Sequence, residues 1–228
     1  MRRIIVLLTL MLLANIGYAQ EGWLIPFAAA YQPDVDKFNA VFARHGLPVA
    51  AKRQFGWGIE IRSATGGFLV GPLFFRTWHD ASNTSFQLRS EALGIFGEIG
   101  LKLTPIRLLT LVPMIGIGGI NHSFAIQERS GDKTLDSLIE HPGRVVNISP
   151  GMKLGGMAAL ELGLIARTNS GNYGLALRAG YLYSPLELVW RQSNGSEVTG
   201  VPDTRLGGLF FSAGLVLMPE PQTVSSYP

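Results

Sequence analysis

The chain has 228 residues, with 28 Gly and no Cys; 47% are hydrophobic, only 15% are charged, and the formal net charge is +3. An ordinary soluble domain carries about 25% charged residues, so this composition asks for an apolar exterior or a membrane. The missing Cys excludes disulfides and thiolate chemistry, and the near-neutral balance excludes an electrostatic footprint for nucleic acid.

Residues 1–19 read as a cleaved signal peptide. Arg2 and Arg3 precede an apolar run over 4–14, and Gly17 and Ala19 supply the small-x-small cleavage pattern. The run is too short to span about 30 Å of hydrocarbon as a helix. Removing it leaves seventeen cations against sixteen acids in the mature chain.

Period-two alternation then predicts eight strands, at 22–31, 53–63, 67–79, 84–103, 108–127, 148–167, 173–190 and 204–218. Three are clear. In 93–103, Leu93, Ile95, Gly97, Ile99, Leu101 and Leu103 share one face, while Gly94, Phe96, Glu98, Gly100 and Lys102 share the other. In 152–167 a face from Met152 to Ala166 opposes one holding Lys153, Glu161 and Arg167; in 173–183 Tyr173, Leu175, Leu177, Tyr181 and Tyr183 oppose Gly174, Arg178 and Gly180. One face is continuously apolar and the other is sparse, with Gly, Ala and isolated charges. That is the pattern of a narrow barrel with lipid outside and a crowded polar interior. In 67–79 both faces are apolar; placing Arg76 inside puts Leu69, Leu73 and Phe75 outward. Trp23, Phe55, Trp57, Tyr173, Tyr181, Tyr183 and Phe211 fall on the expected lipid face.

Segment 108–127 has the length of a membrane helix, but Pro113, Gly116, Gly118, Gly119, Asn121 and His122 argue against one. Connections 64–66, 104–107 and 168–172 are short and 32–52, 128–147 and 191–203 are long, with 80–83 breaking the alternation. Short inner turns and long outer loops characterise outer-membrane barrels. In the first outer loop, Pro33, the Asp34 and Asp36 carboxylates, and Arg44-His45 before Gly46 are ordered helix signals; Val35, Phe38, Val41 and Phe42 form one apolar face, predicting a short amphipathic helix over 33–45. The fold expected is all-β: an eight-stranded antiparallel up-and-down transmembrane β-barrel over 20–218, with 219–228 as a C-terminal tail.

Over 20–218 the chain resembles the small outer-membrane barrels typified by the OmpA membrane domain and the OmpW- and OmpX-like proteins. The resemblance rests on the signal, the eight alternating strands and the loop pattern. It implies a bacterial outer-membrane location, with membrane lipid and the outer-membrane assembly machinery as partners. Such barrels often end on an aromatic; here the last strand closes near Leu215-Val216-Leu217-Met218, so that signal is lost or shifts to Phe210 and Phe211.

The expected interior charges are Glu60, Arg62, Glu98, Lys102, Lys153, Glu161, Arg167 and Arg178. In a narrow low-dielectric lumen they should pair across strands, either lining a polar pathway or plugging the barrel. The plug is the favoured form, since eight strands enclose little more than side chains. His45, His79, His122 and His141 are placed in outer loops or rims, without metal-ligand spacing. His79 with Ser82, or His122 with Ser123, is a conceivable base–nucleophile pair, but strand neighbours point to opposite faces. No nucleophile elbow, P-loop or complete dinucleotide fingerprint is present, so no catalytic residue, cofactor or metal is expected. The charged loop 128–147 is the expected contact surface for outside partners. The function read from sequence is an integral outer-membrane barrel, structural or a narrow conduit or binding site for a small apolar molecule. A soluble calyx-type barrel, a surface adhesin and a lipid-modifying enzyme stay open as alternatives.

Overall fold

Long alternating segments that follow one another in the chain pair as hairpins, and the structure, a computed structural model, contains eight such strands in series. It describes residues 21–65, 67–106, 108–129, 145–168, 171–202 and 205–218. The expected signal peptide, the tail and most of loop 128–147 lie outside these residues.

The eight long strands are β1 (Glu21–Pro33), β2 (Gln54–Thr65), β3 (Phe68–Ser82), β4 (Phe86–Leu101), β5 (Leu109–Glu128), β6 (Lys153–Thr168), β7 (Gly171–Tyr183) and β8 (Gly207–Met218). Each pairs antiparallel with its chain neighbour. β8 then pairs with β1, from Leu24 opposite Leu217 to Pro33 opposite Gly208. The eight long strands therefore close into a ring, as an up-and-down barrel requires.

The turns follow local chemistry. Gly67 takes φ 89° between β2 and β3, a conformation that favours Gly. Between β3 and β4 the Asn83 side chain accepts from the backbone N–H of Ser85 (2.9 Å) and Phe86 (2.8 Å), an Asx turn. Segment 84–103 is interrupted: β4 stops at Leu101 and a short strand, Leu103–Ile106, pairs with the start of β5 after a register shift. Segment 148–167 is also two pieces. Val145–Ser149 pairs with the outer end of β5, and β6 begins only at Lys153, beyond Gly151 at φ 71°. The strand expected over 173–190 ends at Tyr183, and residues 184–190 fold over the barrel mouth instead.

The first outer loop contains helix α1 (Asp36–Arg44). Pro33 does not open it; Pro33 is the last residue of β1 and pairs with Gly208. Gly46 (φ 67°) ends the helix, and Asn39 pins the following loop, donating to Ala50 O (2.9 Å) and accepting from Ala50 N (2.7 Å).

The expected faces hold on β4, β6 and β7. Ile99, Leu160, Leu164, Leu175 and Leu177 are 45–55% exposed, whereas Glu98, Glu161 and Arg178 are at most 4% exposed. Two expectations fail. In β3, Leu69, Leu73 and Phe75 point inward and are fully buried, while Phe68 is exposed. Arg76 lies on the outer face, where Glu91 holds it through two bonds of 2.9 Å. In β1, Trp23 points inward and is 2% exposed. The reason is space. Inward aromatics lie beside inward glycines on adjacent strands: a Cβ on Gly58 would fall 2.1 Å from the Phe27 ring, and one on Gly94 would fall 2.1 Å from the Phe75 ring. Filling a small barrel by such large–small alternation puts bulk on the lumen face of β1 and β3.

Candidate functional site: the layered lumen

Inward residues stack in layers from one barrel end to the other. At the end bearing the short turns, Trp23, Ile25, Leu69, Val112, Met114 and Val216 form an apolar layer. Above it lies a charge layer, then a second apolar layer built on Phe27, Leu73, Phe75, Phe96, Leu182 and Phe210. A layer of neutral polar groups follows. Closing the wide-loop end are Val35, Phe38 and Phe42 of the α1 region, with Leu88, Phe124, Ile148 and Trp190.

The charge layer is drawn from four strands. β2 supplies Glu60 and, two residues on and therefore on the same face, Arg62; β4 supplies Glu98, β6 Glu161 and β7 Arg178. Glu161 and Arg178 are direct cross-strand partners. Arg62 donates from Nη1 to Glu161 Oε1 (2.7 Å) and from Nη2 to Glu60 Oε2 (2.9 Å), and its Nε also bonds Glu60. Arg178 reaches all three carboxylates. Its Nη1 donates to both oxygens of Glu98 (3.1 and 3.2 Å), its Nη2 and Nε to Glu161 Oε2 (2.9 and 3.2 Å), and its Nη2 also to Glu60. The two guanidiniums thus bridge strands that are not neighbours and tie the barrel across its bore. Small inward neighbours make the room: Gly71 and Gly116 are the paired residues on either side of Glu98.

Five of the eight expected interior charges meet here. Lys102 lies at the short-turn end with its Nζ 5.0 Å from the Trp23 ring centre, and the Arg62 guanidinium approaches the same ring at 6.0 Å. Lys153 sits at the start of β6 opposite Ile120, far up the barrel. The Arg167 side chain lies outside the described residues.

The neutral polar layer was not expected. His122 is not on a rim: it is 4% exposed and points inward with Gln54, Thr77 and Ser90, which are fully buried. Thr77 Oγ1 donates to Gln54 Oε1 (3.1 Å), Gln54 Nε2 donates to Ser90 Oγ (2.7 Å), and Ser90 Oγ lies 2.8 Å from His122 Nε2. Parity carried the signal: His122 is an even residue of β5, in phase with Val112, Met114 and Ile120. Ser123 faces the other way.

Above this layer the mouth is closed by stacked rings. Phe38 packs on Phe124 and Trp190 with centres 4.8 Å apart in both cases, and Phe42 meets Phe124 edge-on at 5.2 Å. Trp190 arrives at the end of the 184–190 segment, where its carbonyl accepts from the backbone N–H of Val198 (2.9 Å).

Outside, apolar side chains cover the wall at the height of the charges. The fold is a closed eight-stranded antiparallel β-barrel with an apolar outer wall.

Among solved structures the chain is similar to a major outer membrane protein from Thermus thermophilus, with 12% identity, covering 86% of this chain and 98% of that one at a TM-score of 0.49. It is similar to Ail, the attachment invasion locus protein of Yersinia pestis, at 11% identity, 87% and 97% coverage and a TM-score of 0.48. It is also similar to the outer membrane protein OprG from Pseudomonas aeruginosa, at 10% identity, 88% and 97% coverage and a TM-score of 0.42. No family model and no curated protein matches. Among the described residues, no cluster of three or more His, Cys, Asp or Glu could hold a metal ion.

Proposed function

We propose that the protein is an integral barrel of the bacterial outer membrane that works closed, as a structural wall element presenting outer loops, rather than as an open conduit. One observation carries this reading: the wall is inverted relative to a soluble barrel. Leu160, Leu162 and Leu164 face out while Glu161, between them in sequence, is sealed inside with two arginines. Soluble monomers rarely expose contiguous apolar surface beyond a few hundred Å². A calyx with a polar exterior and an apolar interior does not fit this arrangement.

The closed state is supported by the alternation of three apolar layers with two hydrogen-bonded polar ones. A hydrated ion would have to displace Phe75, Phe96 and Phe210, which are fully buried in mid-barrel. Membrane lipid is the partner of the wall, and the assembly machinery the partner in insertion. The test is planar-bilayer recording of the purified full-length protein beside flotation of its vesicles. Co-flotation with lipid and conductance at background are expected. Recovery in the soluble fraction without detergent would remove the membrane reading. Steady single-channel steps would remove the closed one.

A further inference from the structure

The aromatic closure of the mouth is incomplete at one point. Between the lid and the wall lies a small cavity of about 10 Å³, whose lining includes Tyr31, Phe38, His122, Trp190 and Leu206. Two of these residues carry buried polar atoms with no hydrogen-bond partner, Tyr31 Oη and Trp190 Nε1. The residues themselves are 1% and 3% exposed. An indole N–H can only donate, whereas a phenol both donates and accepts. Both residues line the same void, and neither polar group has a hydrogen-bond partner within the protein. The other polar side chains that border the void are served elsewhere. His122 is tied to the barrel wall through Ser90 and Gln54, Arg205 donates to the Tyr183 hydroxyl (2.7 Å), and Asp34 is exposed to solvent.

We propose that a single water molecule occupies this cavity, accepting from Trp190 Nε1 and donating to Tyr31 Oη, and that this bridge latches the lid to the barrel wall. The volume admits about one water and nothing larger. The two ends of the bridge come from different parts of the chain. Trp190 belongs to the long connection between β7 and β8, and Tyr31 to β1, next to the seam where β1 meets β8. Packing alone would hold the Trp190 ring against Phe38 and Phe124; the water gives its polar edge a fixed partner and so a fixed orientation. The inference concerns the mouth alone and does not depend on where the barrel resides.

The experiment uses the full chain refolded in detergent micelles. The Trp190 indole N–H resonance is assigned by its loss in Trp190→Phe. A cross-peak from a long-lived water to that proton is expected, and Tyr31→Phe should abolish it. In urea titration, Tyr31→Phe and Trp190→Phe should each lower the unfolding midpoint. The double variant should lose no more than the larger single loss, since both bonds go to one water. No cross-peak would overturn the proposal. So would a Tyr31→Phe midpoint that is unchanged or raised, because a phenol buried dry is relieved by losing its hydroxyl. Additive losses in the double variant would refute a shared bridge.

Discussion

Arg178 is the side chain on which the charge layer hangs, and Arg178→Met tests that directly. Its guanidinium touches Glu60, Glu98 and Glu161, and the Glu98 ion pair is made with it. With Arg178 gone, three buried carboxylates share the single guanidinium of Arg62. Met keeps most of the volume, so the loss is electrostatic rather than a cavity. Removing one partner of a buried ion pair costs about 3–5 kcal/mol, a large part of the roughly 5–15 kcal/mol that holds a typical fold together. With a urea dependence of about 1–3 kcal/mol per molar, the midpoint in micelles should fall by at least about 1 M, read by tryptophan fluorescence. Arg178→Lys should recover only part of this, since a compact ammonium cannot span three carboxylates. Adding Glu98→Gln to Arg178→Met should restore stability, because it removes the carboxylate whose counter-ion has been taken away. A loss under about 0.5 kcal/mol for Arg178→Met, the range of ordinary surface changes, would refute the reasoning. So would simple additivity of the two substitutions.

Leu160→Arg should cost about 2–4 kcal/mol if this half-exposed residue faces the bilayer near mid-height, and next to nothing if the wall is wet; unfolding in lipid vesicles decides. His122→Leu should cost about 1–3 kcal/mol by removing the ring nitrogen that Ser90 and Gln54 meet inside the barrel, measured as a lowered urea midpoint with an unchanged strand signal in circular dichroism. Gly71→Ala should abolish refolding, because a Cβ there would lie 1.8 Å from the carbonyl oxygen of Ile61. The check is loss of the compact, heat-modifiable band on a denaturing gel.

Strand number, order and the facing of β4, β6 and β7 are legible because in those strands the two faces differ in kind: branched apolar side chains on one, Gly, Ala and single charges on the other. The same contrast leads straight to Glu98, Glu161 and Arg178, and to Glu60 and Arg62 by their two-residue spacing. It fails in β1 and β3, where the lumen needs aromatics and the wall is lined by Pro26, Ala28 and Ala30 or by Phe68 and Phe74. Arg76 misleads there for a physical reason. A charge marks the lumen only within the apolar belt; toward the loop end the outer face can carry Arg76, Glu91, Arg89 and Asp80 as partly exposed ion pairs. The lid is hidden for another reason. Trp190 and the apolar groups packed around it come from α1, β4, β5, the Val145–Ser149 strand and the β7–β8 connection, and no local pattern records which distant rings will stack.

The charge layer and the apolar belt stand at the same height, and this is what ties the fold to its surroundings. Leu160 and Leu162 flank Glu161 in β6, and Leu177 and Ala179 flank Arg178 in β7, so successive side chains on one strand meet opposite media. An open sheet in water would leave the leucines uncovered, and a sheet packed on a second sheet would cover them and expose the charges. A closed barrel in lipid satisfies both, since it supplies an apolar solvent outside and returns each buried charge to a partner on another strand. The guanidiniums add something that apolar filling would not. Arg62 joins β2 to β6, and Arg178 joins β7 to β2 and β4, so the bore is crossed by directional bonds. A lumen of interchangeable aliphatic groups would tolerate slippage between strands, whereas a shift of one residue in β6 would turn Glu161 into the lipid and Leu160 onto the arginines.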